Sequence, residues 1–93
     1  MFYHVSIHHP RPGHRDALID SMHRFGAALA GAPGLISVQT LYDEAQDVLM
    51  GLAIWESEAA FQASIHLARA VVADDPFEEW EAEAVTGFRL HPV

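Results

Sequence analysis

Polarity alternates along residues 2–9 (Phe-Tyr-His-Val-Ser-Ile-His-His), which predicts a strand, and the Pro10-Arg11-Pro12-Gly13 segment stops it because proline donates nothing to a ladder. From about His14 the period changes. Leu18, Met22, Phe25 and Leu29 follow i, i+4, i+7, i+11, the pattern of an amphipathic helix that Gly31 and Pro33-Gly34 end. Residues 35–42 predict a second strand, 43–47 a polar hairpin loop, and 48–56 a third, more apolar strand. Ser57 is a good N-cap for a helix starting at Glu58, along which Phe61, Ile65 and Ala68 share one face. Asp74-Asp75-Pro76 breaks that helix, Phe77 to about Glu83 suits a further short one, and 84–91 alternates as a last strand.

The order β-α-β-β-α-β is that of the split βαβ, or ferredoxin-like, α+β fold. Right-handed crossovers and short connections give one antiparallel sheet in the order 4-1-3-2, with both helices on one face. On polarity, the sets Tyr3/Val5/Ile7, Ile36/Val38, Val48/Met50/Leu52/Ile54 and Ala84/Phe88/Leu90 are the more apolar and are expected against the helices. The opposite sets are His4/Ser6/His8, Ser37/Gln39/Leu41, Leu49/Gly51/Ala53/Trp55 and Val85/Gly87/Arg89/His91. Such a mixture of small, apolar and a few polar groups suits a cavity wall. Covering it with a second copy predicts a two-fold dimer whose sheets enclose a pocket.

Composition narrows the chemistry. The 93 residues make a single domain, 1–93, with 51% hydrophobic and 19% charged residues, so a packed core is expected rather than disorder. No apolar run reaches the ~18 residues of a membrane span and no leader pattern is present, which leads to the expectation of a soluble cytoplasmic protein with no membrane partner. Zero cysteines removes thiol chemistry and disulfides. A formal charge of −8 argues against nucleic acid as a partner. All five basic residues are arginines (11, 15, 24, 69 and 89) and none is lysine, which excludes Schiff bases and phosphate-loop lysines. Six of the thirteen acids fall in 74–83, a run that reads as a solvated helix face.

At Trp55-Glu56-Ser57-Glu58-Ala59-Ala60-Phe61 the chain resembles the antibiotic biosynthesis monooxygenase family, whose third strand ends in such a Trp-x-Ser step. Pro12-Gly13 and Pro33-Gly34 fall where that family has its turns, and the resemblance covers nearly the whole chain. It implies a dimeric α/β barrel of ferredoxin-like protomers, and a small cofactor-independent monooxygenase acting on an aromatic, polyketide- or quinol-like molecule. The alternative is a non-catalytic dimer of the same fold that binds a small molecule or stabilises a partner. Oxygenases of the family pair the strand-three tryptophan with an asparagine four residues earlier; Gly51 stands there, and the chain has no asparagine. The haem-degrading branch has its tryptophan where this chain has Ser64 and its iron ligand near Asp74. Neither haem nor another cofactor or metal is therefore expected. Relatives with a histidine at the Ser64 position are not matched by His66, because two residues along a helix turn a side chain by about 200°.

Candidate site residues follow from the second sheet face. Trp55, with Gly51 and Ala53 beside it, either stacks on a flat ligand or fills the dimer core. His4 and His8 are candidate general bases, or else histidines satisfied across the sheet; four strand residues part them by roughly 13 Å, too far for one metal. Arg89 is expected next to His4 or Ser6, holding a phenolate or carboxylate or pairing with an acid. Ser6, Gln39, Gly51 and Tyr42, the last at the pocket mouth, complete the expected binding set.

Overall fold

The computed structural model describes all residues 1–93. Its elements are β1 (Phe2–His8), α1 (Arg15–Ala28), β2 (Leu35–Asp43), β3 (Val48–Trp55), α2 (Glu58–Val71), α3 (Phe77–Trp80) and β4 (Thr86–Leu90). The four strands pair antiparallel in the order β2-β3-β1-β4, the expected sheet named from its other edge. Ser57 caps α2 as its position suggests, its side chain accepting the Ala60 N–H at 3.1 Å. No helix is long and apolar enough to cross a membrane.

The helices pack on the sheet through one ring. Phe61 of α2 is fully buried and meets Phe2 at 5.0 Å, His4 at 4.8 Å and Trp55 at 6.0 Å between ring centroids. Around it Leu29, Ala53, Ile65 and Ala68 close the core. The helix-facing sets are therefore Phe2/His4/Ser6/His8, Leu49/Gly51/Ala53/Trp55 and Val85/Gly87/Arg89. This is a correction. β1, β3 and β4 are turned over relative to the expectation from polarity, and only β2 keeps its expected side, with Val38 against Gly26 of α1.

The physical reason is shape rather than hydrophobicity. Gly51 and Ala53 are small enough to admit α1 and α2, and Phe2, Leu49 and Trp55 supply the buried bulk. The more apolar face is left without a cover. Leu41, Phe88 and Leu90 are 40–46% exposed along it, and Ile36, in a bulge of β2 between Leu35 and Ser37, is 50% exposed.

The turn into β2 depends on Gly34, whose φ of +84° is open to glycine and costly for other residues. A Cβ there would lie 2.6 Å from the Ala60 Cβ of α2, so the backbone passes the helix at a distance only glycine allows. Gly31 has a φ of +79° but open space around it. Gly31→Ala should therefore cost about 1–2 kcal/mol of backbone strain, and Gly34→Ala more, since it adds a clash to the same strain. In thermal melts each kcal/mol lowers Tm by about 4–8 °C for a chain of this size, and equal losses for the two variants would refute the close approach.

Candidate functional site

The sheet and the helices part beyond the Phe61 cluster and leave a cavity of about 250 Å³ between them. Its floor is sheet: His4, Ser6 and His8 from β1, Gly51 and Ala53 from β3, and Val85 and Gly87 at β4. Its roof is Met22 and Phe25 from α1, Arg69 and Val72 from α2, and Phe77 of α3. The pocket is thus not enclosed between two sheets, as the sequence suggested; it belongs to one chain. The inversion of the sheet faces moves it there.

Register explains the openness of the floor. Ser6 lies opposite Gly51 on one side and Gly87 on the other, so no neighbouring side chain covers its hydroxyl. A Cβ at Gly51 would sit 2.7 Å from Ser6 Oγ. His8 takes up both ends of its ring. Nε2 is 3.0 Å from Ser6 Oγ, and Nδ1 is 3.1 Å from Glu81 Oε1.

Glu81 arrives by backbone stitching. The chain after α3 pairs antiparallel with the chain after β1 through Arg11 N–H to the Trp80 carbonyl and Ala82 N–H to the His9 carbonyl, both 2.7 Å. Arg11 Nε also donates to the Glu81 carbonyl at 2.9 Å. The side chain ends only 5% exposed, with Oε2 buried and without a partner. The acidic run 74–83 is therefore not a uniformly solvated face. Asp75 is also engaged, accepting from Ser21 Oγ at 2.6 Å and Arg24 at 2.7 Å, which hold its carboxyl below the usual range.

Burial sets the charges. Desolvation, with His9 nearby, lowers His8 to about 4, so its imidazole is neutral at pH 7. Desolvation raises Glu81 to about 7 against an opposing backbone hydrogen bond from His9. His4 is also held low, first by burial and then by Arg69 and Arg89. The floor thus carries two neutral imidazoles beside a carboxyl that gains its charge near neutrality.

Each expected site residue has a definite place. His4, Ser6, His8, Gln39 and Gly51 border the cavity. Arg89 stands opposite His4 in the ladder, but its guanidinium lies over the Phe61 ring at 5.1 Å. Trp55 is fully buried in edge contact with Phe61, leaving no indole face free for a ligand. Tyr42 is away from the cavity, its hydroxyl accepting from Arg15 at 3.2 Å and donating to Asp47 at 2.8 Å. His66 is exposed on α2, whereas Ser64 is buried.

Arg69 and Glu81 were not expected at the site. Arg69 sits one residue after the buried Ala68, a position that helical periodicity leaves undecided. Nothing in the sequence separates Glu81 from its acidic neighbours. No cluster of three histidine or acidic groups lies close enough to hold a metal ion.

A family model described as antibiotic biosynthesis monooxygenase matches residues 1–73. The fold is shared with solved structures. A Shewanella oneidensis protein superposes with a TM-score of 0.83 at 15% identity, covering 98% of this chain and 89% of that one. An antibiotic biosynthesis monooxygenase from Chloroflexus aurantiacus gives 0.71 at 22%, covering 100% and 94%. A variant of MhuD with two manganese protoporphyrin IX molecules bound per active site gives 0.76 at 20%, covering 100% and 95%. No curated protein matches.

The porphyrin of that last neighbour is a poor fit to the cavity here. At about 250 Å³ it is below the ~300–1,000 Å³ of common ligand pockets. His8 is committed as well, bonded at both ring nitrogens, so it offers no free nitrogen as an axial ligand.

The shifted groups set a pH dependence of stability. Folded Glu81 keeps its proton up to about 7, against an ordinary value of 4.5, so its contribution is full below 4.5 and lost as pH rises through 7. His8 works the other way: its contribution falls away below its ordinary 6.5 toward about 4. Glu81→Gln keeps the shape and removes only the first effect. It should melt above wild type at pH 8, with the gap narrowing at pH 5; a gap that ignores pH would show that Glu81 is not buried as a charge.

Proposed function

The chain belongs to the antibiotic biosynthesis monooxygenase family, and from that premise we propose that it is a cofactor-independent monooxygenase of a small, electron-rich aromatic. The observation that carries this reading is the cavity itself: a largely apolar chamber holding neutral imidazoles and one arginine. The substrate class is an anthrone- or quinol-like ring system whose C–H or O–H proton is acidic enough to be taken by a histidine.

His4 accepts that proton in this reading. It borders the cavity, is neutral at pH 7, and is held by its tilted contact with the Phe61 ring. Arg69, the permanent cation of the lining, faces the enolate or phenolate that results. The apolar walls keep water from the anion, which raises its reducing power toward O₂. For a ring CH₂ the balance closes without a cofactor: CH₂ becomes C=O, one oxygen atom is retained, the other leaves as water, and the substrate supplies all four electrons. Trp55 and Arg89 support this site through Phe61 rather than by touching the ligand.

A homodimer is part of the same reading. The apolar sheet face with Leu41, Phe88 and Leu90 has a few hundred Å² to hide, worth several kcal/mol at ~25 cal/mol per Å². A second copy is the self-complementary cover.

Two measurements test the proposal. Oxygen uptake with an anthrone-type substrate should proceed without added flavin or metal. It should hold level above pH 6.5, since His4 is held below its ordinary 6.5, and fall only at lower pH as His4 protonates, and His4→Gln should lower it by roughly 10²–10⁴. Tight binding of such compounds with no uptake would favour the non-catalytic alternative. Light scattering should give twice the 10.3 kDa chain mass, and Phe88→Glu should halve it; a wild-type monomer at micromolar concentration would overturn the dimer.

A further inference from the structure

His8 is bonded at both ring nitrogens, and the two partners are chemically unlike: a hydroxyl open to the cavity and a buried carboxyl. With Glu81 ionised, Nδ1 must carry the ring hydrogen to donate to Oε1, which leaves Nε2 as the acceptor of the Ser6 O–H. A nucleophile, a base in contact with it, and an acid that orients the base are the three parts of an activated hydroxyl. We propose that Ser6, His8 and Glu81 form a nucleophilic triad, and that the protein hydrolyses small carboxylic esters through an acyl-Ser6 intermediate.

Several features beyond the two hydrogen bonds support this. Ser6 lies between Gly51 and Gly87 in the ladder, so a carbonyl carbon can approach Oγ from the cavity without meeting a neighbouring side chain. Gly51 also sets the hydroxyl's direction, since any Cβ there would meet Oγ at 2.7 Å. The cavity has room for a small acyl group, and Arg69 in its lining is a cationic donor for the oxyanion. Glu81 Oε1 faces His8, while its backbone is held by Arg11 and Ala82, so the acid is fixed against the strand rather than on a mobile side chain.

The step balances without any co-reactant but water. Ser6 Oγ attacks the ester carbonyl as its proton passes to His8 Nε2. The C–O bond to the leaving alcohol breaks, and that alcohol takes the proton from Nε2. Water then gives a proton to Nε2 and attacks the acyl carbon, releasing the acid and restoring Ser6–OH. Glu81 stabilises the imidazolium in between. The charged and titratable groups next to the pair are His9, itself 3.2 Å from Glu83, and Arg11, whose guanidinium holds the Glu81 carbonyl; Arg69 and Arg89 act on His4, further along the floor. Because Glu81 gains its charge near 7, reactivity should rise with pH through that value.

The test is independent of the oxygenase reading because it runs without oxygen. Wild-type protein is treated anaerobically with diisopropyl fluorophosphate, which transfers its phosphoryl group to an activated hydroxyl with loss of fluoride, and the adduct is mapped by peptide mass spectrometry. A parallel assay follows 4-nitrophenyl acetate turnover. One adduct on Ser6 is expected, forming faster above pH 7, slowed at least 10²-fold in His8→Gln and also slowed in Glu81→Gln. Gly51→Ala should slow it as well while leaving the circular dichroism spectrum native, because the new Cβ pushes Oγ off His8. An adduct on another residue, no adduct, or one whose rate ignores His8→Gln would overturn the triad. Because the adduct is mapped on wild-type protein, the triad stands or falls there even where a variant folds poorly.

Discussion

One aromatic ring decides which way this protein faces. Phe61, projecting from the first turns of α2, is buried against Phe2, His4 and Trp55 and lies under the Arg89 guanidinium. Those four side chains come from β1, β3 and β4, so seating one ring fixes the same face of three strands toward the helices. Everything in register with them follows. With Phe2 and His4 turned inward, period two puts Ser6 and His8 inward also, and the ladder sets Gly51 and Gly87 on either side of Ser6. The cavity is where the helices no longer reach the sheet beyond that ring.

This is also where sequence reasoning stops. Element order, strand pairing and the Ser57 cap were legible because they rest on local chemistry: prolines that cannot donate, a hydroxyl that can cap, helical spacing from Leu18 to Leu29. The sheet faces were not. Both carry apolar residues, and ranking them by hydrophobicity assumes that the helices cover the greasier one. A chain whose helices cover the less greasy face breaks that assumption, and no single-chain polarity count can detect it. The residues gathered around Ser6 were still foreseeable as a set, since alternation groups them whichever way the strand turns. Glu81 was not, because its burial comes from backbone bonds between residues 80–82 and 9–11 that leave no trace in composition.

The floor of the cavity is expensive in folding terms. A glutamate 5% exposed with an unpartnered oxygen, a histidine driven down to about 4, and an indole N–H buried without a partner at Trp55 all oppose stability. A core chosen for stability alone would fill these positions with leucine and valine. The compensation lies next door, in the Phe61 cluster and in the Ser21–Asp75–Arg24 contacts that tie α1 to the segment before α3. Strain of this kind is expected where side chains serve reactivity.

The inventory of the chain narrows what that reactivity is. Without lysine, cysteine or asparagine, the polar groups able to act on a ligand in the cavity are imidazole, hydroxyl and guanidinium, with the Glu81 carboxyl behind His8; Gln39, paired with Leu52, turns its amide to the outer face. The two imidazoles are held differently. His4 packs at a tilt against Phe61 near two guanidiniums, a place suited to taking a proton from a substrate that becomes an anion. His8 is held between a carboxyl and a hydroxyl, a place suited to moving a proton along a fixed line. In the two proposed reactions, loss of a proton by a bound aromatic and loss of a proton by Ser6 are separate events on one floor, with the two imidazoles roughly 13 Å apart along the strand. The apolar lining favours both, because low polarity strengthens the arginine's hold on an enolate and raises the nucleophilicity of an alkoxide alike.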